Sequence, residues 1–336
     1  MVSKKKTLSK KHRLRASELL QKASRYLQSG HSNEAMQQCN FILDKYPNYP
    51  EAHLLLGVIS NHSGEYELAI SKFKKVLELK PDYAEAYNNL GNTYQILGNK
   101  DDAVIYFENA LKLNPKLYET HYNLGLIFLE SENLEKAIAS FRKVINIKPD
   151  FVQAYNDLGN AFNHLGQYEE AIKNYEKALG IKPDYVEVIN NLGLIYRNLG
   201  YIDKAIEQFK KALVFKPNHA KTYFDLSIVR PEKEQVPIIE NYLSKNNVSK
   251  DDAMYYHYAI GYICNSFQQY SKAFEHFSEA NRAVRETVNY NSKHHSGYVD
   301  SLINIFSYDF FKERKVLVQT QMFLFLLLVC HVRVHR

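Results

Sequence analysis

Six of the nine prolines return on one beat: Pro47, Pro81, Pro115, Pro149, Pro183 and Pro217 stand 34 residues apart. A strict period of this length constrains the chain more than any single motif. A unit too short to bury its own apolar face must stack on copies of itself. Other residues keep the same beat. Leu-Gly pairs recur at Leu56-Gly57, Leu90-Gly91, Leu124-Gly125, Leu158-Gly159 and Leu192-Gly193. An alanine recurs at Ala69, Ala103, Ala137, Ala171 and Ala205, and an aromatic follows it at Phe73, Phe107, Phe141, Tyr175 and Phe209. Apolar residues within a unit fall at helical spacing twice, as Tyr87, Leu90 and Tyr94 and then as Ala103, Phe107 and Ala110. Each unit therefore reads as two helices. Small Gly91 and Ala103 let the two approach closely. Pro115 stops the second, because it has no amide hydrogen and clashes with the preceding turn. Asn48 with Glu51, Asp82 with Glu85, Asp150 with Gln153 and Asp184 with Glu187 have capping-box spacing, so they are expected to start the next unit.

This combination resembles the tetratricopeptide repeat (TPR), a 34-residue helix-turn-helix unit with Leu-Gly, Ala, aromatic and Pro at fixed places. The expected fold is all-α: a right-handed TPR superhelix, or solenoid, of about eight units followed by a linker helix. Five strict repeats fill 50–219, and degenerate units fill 16–49, 220–253 and 254–287. The unit at 220–253 keeps Tyr223 and Leu226 and loses the second half of the pattern to RPEKEQVP. Residues 1–15 read as a basic disordered tail, 288–321 as a linker helix region and 322–336 as an aberrant hydrophobic tail.

Charge narrows the partners. Of 43 Lys and Arg, seven lie in residues 1–15, which leaves 36 basic against 37 acidic residues in the body. The body is neutral, and the basicity is an N-terminal tail that could touch nucleic acid or an anionic surface but reads as a solvated, disordered leader, so no nucleic-acid partner is expected. No apolar stretch follows it as a secretory signal requires. The three cysteines are far apart and form no Cys-x-x-Cys pair, which fits a reducing, cytoplasmic setting.

The residue before each Leu-Gly pair is polar in five successive units: Asn89, Asn123, Asp157, Asn191 and Asp225. Asn92 and Asn160 stand one turn further on. An amide offers donors and an acceptor, so a row of one per repeat can hold an extended peptide by its backbone. The row resembles the asparagine ladder in the TPR region of O-GlcNAc transferase. The alternative is that polar residues only keep an exposed groove wet. A peptide or protein partner in the concave groove is expected. No catalytic residue, metal site or cofactor is expected. His121 takes an aromatic's place as a packed histidine, His62, His164 and His219 lie at no metal spacing, and no Gly-rich phosphate loop is present.

The C-terminal stretch adds a second resemblance. Glu279-Ala280-Asn281-Arg282, Tyr290, His294 or His295, Val299-Asp300, Leu302-Ile303 and Phe306 are similar to the last repeat and linker of bacterial TPR-sulfotransferases. In that family a buried strand follows and runs into the loop that cradles 3′-phosphoadenosine-5′-phosphosulfate, with a core like I-F-I-V-G-M-P-R-S-G-T. Here the chain ends instead on QMFLFLLLVCHVRVHR. Permitted codons for Phe325 to His335, read one base earlier, translate as I-F-I-V-G-M-P-R-S-G-T. The expectation is a frameshift between about Lys315 and Leu324 that removes the sulfotransferase domain, leaving a TPR chain with no enzyme activity of its own. The tail's nine apolar residues, Met322 to Cys330, are too few to span a membrane, which takes ~20. No membrane partner is expected, and an out-of-frame tail makes the metal-like spacing of Cys330, His331 and His335 accidental.

Overall fold

The computed structural model describes residues 10–245 and 247–287, with side chains from residue 14 to 284. The linker region 288–321 and the tail 322–336 lie outside the described residues. The described chain is all-α, with no strand, and divides into two compact units, 1–222 and 223–336. In the first unit, α1 (Lys10–Gln28) pairs with α2 (Ser32–Lys45), and α3 (Pro50–His62) with α4 (Tyr66–Leu79). Then α5 (Ala84–Ile96) pairs with α6 (Lys100–Leu113), and α7 (Tyr118–Glu130) with α8 (Leu134–Ile147). Next α9 (Val152–His164) pairs with α10 (Tyr168–Ile181), and α11 (Val186–Asn198) with α12 (Ile202–Phe215). The first helix of each pair is its A helix. Each second helix packs on the A helix of the next pair, so contacts run along the chain as they do in a helical-repeat solenoid.

Within a pair, the aromatic of the second helix lies on the glycine of the first. A Cβ added at Gly57, Gly91, Gly125 or Gly159 would come within 2.5 Å of the ring of Phe73, Phe107, Phe141 or Tyr175. Gly193 and Phe209 repeat the contact at 2.6 Å, and all five rings are buried. The glycine removes the atom that would otherwise hold the helices apart. The buried alanines Ala69, Ala103, Ala137, Ala171 and Ala205 do the same from the other side.

The turns inside each pair also follow from local chemistry. Gly98 sits at φ 77°, and Asn99 N–H donates to the Tyr94 carbonyl at 2.9 Å, the closed C-terminal turn that a left-handed residue permits. Gly64, Gly166 and Gly200 repeat it. In the α7–α8 turn the same position is Glu132, at φ 57°.

Two expectations are corrected. Asn48, Asp82, Asp150 and Asp184 do not cap the A helices. The cap positions are Tyr49, Tyr83, Phe151 and Tyr185, none with a side-chain cap bond. The polar residue is taken up with Pro in the preceding turn, and the ring at the cap packs under a lysine instead: Lys80 Nζ lies 4.6 Å from the Tyr83 ring centre and Lys182 Nζ 5.0 Å from that of Tyr185. In the first unit side-chain caps occur at second helices, where Asn99 and Asn133 accept from Asp102 and Lys136 N–H at 3.3 Å. The basic segment assigned to 1–15 is helical from Lys10 onward. Its Lys, Arg and Leu residues favour helix, and buried Ala16 anchors it.

The second unit holds the end of α13 (Ala220–Val229), then α14 (Gln235–Leu243), α15 (Lys250–Ser266) and α16 (Tyr270–Thr287). Helix α14 is shortened to nine residues, and Pro237 sits in its first turn, where no helical amide bond is lost. Gly261 and Phe277 repeat the glycine–ring contact at 2.6 Å, so α15 and α16 keep the register of the strict repeats.

This packing makes a paired prediction. Gly91→Ala is expected to destabilise the chain by about 1–3 kcal/mol, because its methyl group meets a buried ring that cannot withdraw. Gly180→Ala on α10, where a Cβ meets nothing within 4 Å, is expected to stabilise it by a few tenths to about 1 kcal/mol. Urea unfolding of both variants checks the pair. Equal effects from the two would mean that the ring contact does not set the helix spacing.

Candidate functional site

The A helices α5, α7, α9 and α11 carry the polar row, and side-chain hydrogen bonds link each of these helices to the next. Asn123 Nδ2 donates to Asn92 Oδ1 at 2.7 Å, from α7 back to α5. Asn191 Nδ2 donates to Asn160 Oδ1 at 3.1 Å and to Asn156 Oδ1 at 3.3 Å, from α11 back to α9. Between these two pairs of helices, Tyr122 on α7 donates to Asp157 Oδ2 on α9 at 2.7 Å. Neighbouring A helices thus meet amide to amide, or phenol to carboxylate, along one face. The spacing follows from the repeat: bonds join residues 31 to 35 apart, close to one period.

Two further links sit deeper. Thr120 Oγ1 donates to Asn88 Oδ1, and Thr222 Oγ1 to Asn190 Oδ1, each at 2.7 Å. Asn190, Thr120 and Thr222 are buried. Tyr175, at the ring position that is Phe in the other strict repeats, donates to Asn160 Oδ1 at 2.7 Å and so ties the core of its pair to the polar face.

The row divides by what its amides already do. Asn160 accepts from Tyr175 and Asn191 and donates weakly to Asp157 at 3.4 Å. Asn123 and Asn191 use their NH2 groups and Asn92 its carbonyl in the bonds above. No bond from the Asn89 side chain occurs among the described residues, while its backbone carbonyl accepts from Thr93 Oγ1 at 2.8 Å. Asp225 lies buried on α13 in the second unit. Asn88, Asn156 and Asn190, with Thr120, Tyr122 and Thr222, belong to the network but were not anticipated. The available signal was the doubled polar pair in YNNLG, YNDLG and INNLG.

Burial pushes the Asp157 carboxyl above the usual carboxylate range, and donation from Tyr122, Asn156 and Asn160 pulls it part of the way back. Burial, and then the Asp157 charge, push the Tyr122 and Tyr175 phenols up, so both remain donors at neutral pH. His121 is half-buried, with its Nε2 3.1 Å from the Pro115 carbonyl, and burial lowers its pKa. The Glu279–Arg282 element has a structural place: the two side chains pair along α16, Ala280 is buried, and Asn281 Oδ1 accepts from Tyr258 on α15 at 2.8 Å. Among the described residues, no group of three or more His, Cys, Asp or Glu side chains could hold a metal ion, and no helix is long and apolar enough to cross a membrane.

Sequence models described as TPR repeat match residues 62–98, 125–165 and 159–200, and those described as tetratricopeptide repeat match 84–117 and 186–219. Among solved structures, a crystal structure of MamA is 31% identical, with a TM-score of 0.47, over 49% of this chain and 97% of that one. YrrB, described as a TPR protein with an unusual peptide-binding site, is 22% identical with a TM-score of 0.49, over 54% of this chain and 93% of its own. PilF of Pseudomonas aeruginosa is 19% identical with a TM-score of 0.56, over 62% and 95%, a likeness of fold. No curated protein matches the chain.

Asp157 has a testable pH signature. Its folded pKa is raised, so the folded state holds the proton more tightly than the unfolded state does. Its contribution to stability is therefore most favourable at low pH and declines as pH rises from about 4 through the raised folded value. Against Asp157→Asn, which does not titrate there, the wild type is expected to lose relative stability over that rise. Urea unfolding of both proteins from acidic to neutral pH checks this. A difference that stays constant or moves the other way contradicts a raised carboxyl.

Proposed function

Because the chain belongs to the tetratricopeptide repeat family, we propose that it is an interaction scaffold, without catalysis of its own, that holds an extended peptide or partner-protein segment along the concave groove of its A helices. One observation carries the reading. Polar groups one repeat apart meet within hydrogen-bond distance at each step from α5 to α11, amide to amide between α5 and α7 and between α9 and α11, and phenol to carboxylate between α7 and α9, which makes a polar strip rather than scattered wet positions. The bonds within the strip hold the amide planes of Asn92, Asn123, Asn160 and Asn191 in place. A fixed amide binds a peptide backbone with less ordering cost than a mobile one. The strip keeps capacity toward a ligand, chiefly at Asn89, and Asn160 and Asp157 act as its supports.

The test uses a phage-displayed library of random linear peptides captured on the immobilised chain, followed by affinity measurement on the selected peptides. Asn89→Ala is the sharp variant, because its amide takes no part in the internal network. It is expected to weaken the selected peptides about fivefold, the worth of roughly one hydrogen bond, with unchanged thermal unfolding. Asn123→Ala and Asn191→Ala are expected to lower stability as well, since each breaks a bond between A helices. Unchanged affinity in Asn89→Ala, or selection of no peptide at all, rejects the groove reading.

A second reading concerns the gene rather than the groove. The Glu279–Arg282 element, together with the I-F-I-V-G-M-P-R-S-G-T core reachable one base away from Phe325–His335, favours descent from a TPR-sulfotransferase. In that enzyme the array would recruit the hydroxyl-bearing acceptor, and the donor 3′-phosphoadenosine-5′-phosphosulfate would bind in the domain lost to the shifted frame. Sequencing the gene from codon 305 onward decides it. A long open frame continuing past that core is the expected result, and stop codons scattered through every frame reject it.

A further inference from the structure

Positions that carry polar residues in several strict repeats are aromatic in the second unit. Counting by the 34-residue period, Phe224 and Tyr258 stand in register with Asn88, Tyr122, Asn156 and Asn190, and Tyr262 with Asn92, Leu126, Asn160 and Leu194. Tyr255 stands in register with Glu85, Glu119 and Glu187. The Gly261–Phe277 contact confirms that the register holds here. Tyr255, Tyr258 and Tyr262 follow one another at three- and four-residue steps, so they form a stripe along one face of α15. Their ring centres lie 5.7, 5.8 and 5.8 Å from that of Phe224 on α13, tilted or edge-on to it. The four rings are each half-buried, and Phe224 forms the floor between the tyrosines.

Carboxylates adjoin one end of this stripe. Asp251 and Asp252 occupy the first turn of α15, four and three residues before Tyr255, and both are exposed. Burial and then the charges of Asp225, Asp251 and Asp252 push the Tyr255 phenol up, which places all three acids within electrostatic reach of it. Half-exposed aromatic faces beside carboxylates suit a cation that is planar and weakly hydrated. Guanidinium meets that description better than ammonium, since it stacks on rings while its N–H groups reach sideways to carboxylates.

We propose that the face formed by Phe224, Tyr255, Tyr258 and Tyr262, with Asp251 and Asp252 at its edge, is a subsite for an arginine side chain of a bound peptide. The proposal rests on the groove reading and adds a residue preference to it. The amide strip of the first unit recognises backbone and is indifferent to sequence. The aromatic face of the second unit selects for a side chain.

The test uses the full chain and three fluorescein-labelled Gly/Ser nonapeptides that differ at alternate positions: arginine, lysine, or citrulline, which keeps the planar shape and drops the charge. Fluorescence anisotropy is expected to rank arginine above lysine, with citrulline about tenfold or more weaker than arginine. Tyr255→Ala, and separately the Asp251→Asn, Asp252→Asn double variant, are expected to bring the arginine peptide down to the citrulline level. Both substitutions lie at exposed or half-exposed positions, and unchanged thermal unfolding certifies the fold. Asn89→Ala, in the first unit, is expected to keep the arginine-to-citrulline ratio, which separates this subsite from the amide strip. No measurable binding of the arginine peptide, equal binding of arginine and citrulline, or an unaffected Tyr255→Ala overturns the subsite. The groove reading then still stands or falls on the displayed library and Asn89→Ala.

Discussion

The array rests on one repeated contact, an aromatic ring lying on a bare helix backbone. Five times in the first unit, and once more at Gly261 and Phe277, a glycine supplies the space that the ring of the partner helix fills. Everything else depends on that distance. It brings the buried alanines into contact, makes each pair a slab with an apolar front and back, and forces the slabs to stack face to face. A stack of near-identical slabs then places equivalent residues of successive A helices side by side. The polar network is a consequence: Asn123 reaches Asn92, and Asn191 reaches Asn160, because the slabs between them have one thickness.

The one unusual ring clarifies the division of labour. Tyr175 fills the same slot as Phe107 and Phe141 and is equally buried, yet its hydroxyl donates to Asn160 on the polar face. A phenol buried without a partner costs free energy, so the asparagine is part of what makes tyrosine tolerable there. In return the tyrosine fixes the amide plane. Core and surface in this repeat are held by the same atom, and Asn160 is best regarded as a support of the strip.

Much of this was legible in the sequence, and the reason is physical. Proline, glycine and large aromatics act by sterics that depend little on context, so their period showed the helix pairs, the turns and the all-α fold directly. The capping residues were misplaced by one position: Asp82 and Tyr83 are adjacent, and only the structure shows the ring packing under Lys80 while the aspartate turns with Pro81. The polar row was visible as residue types, but which amides face one another depends on how far one repeat advances on the next, and no local rule contains that offset. The run of aromatics at Phe224, Tyr258 and Tyr262, at positions that are Asn in several strict repeats, was readable in the period. It gained meaning only when the rings proved to meet. The shortened α14 shows the limit of pattern loss as a guide. The consensus is gone from 231–243, but apolar Ile239 still finds a buried place and a helix forms around it.

Contact confined to chain neighbours decides how the first unit comes apart. Among the described residues no distant segment clasps the array shut, so its opening is a front that moves along the stack rather than one collective event. The α1–α2 pair has a neighbour on one side of the stack, whereas a continuous apolar cluster joins α8 through α11, including Phe141, Leu158, Tyr175 and Leu192. A protease acting on the folded chain therefore meets a string that frays from an end towards a durable middle. Its intermediate products should shorten in steps of about one repeat, so that the period written in the sequence can be read again as a ladder on a gel.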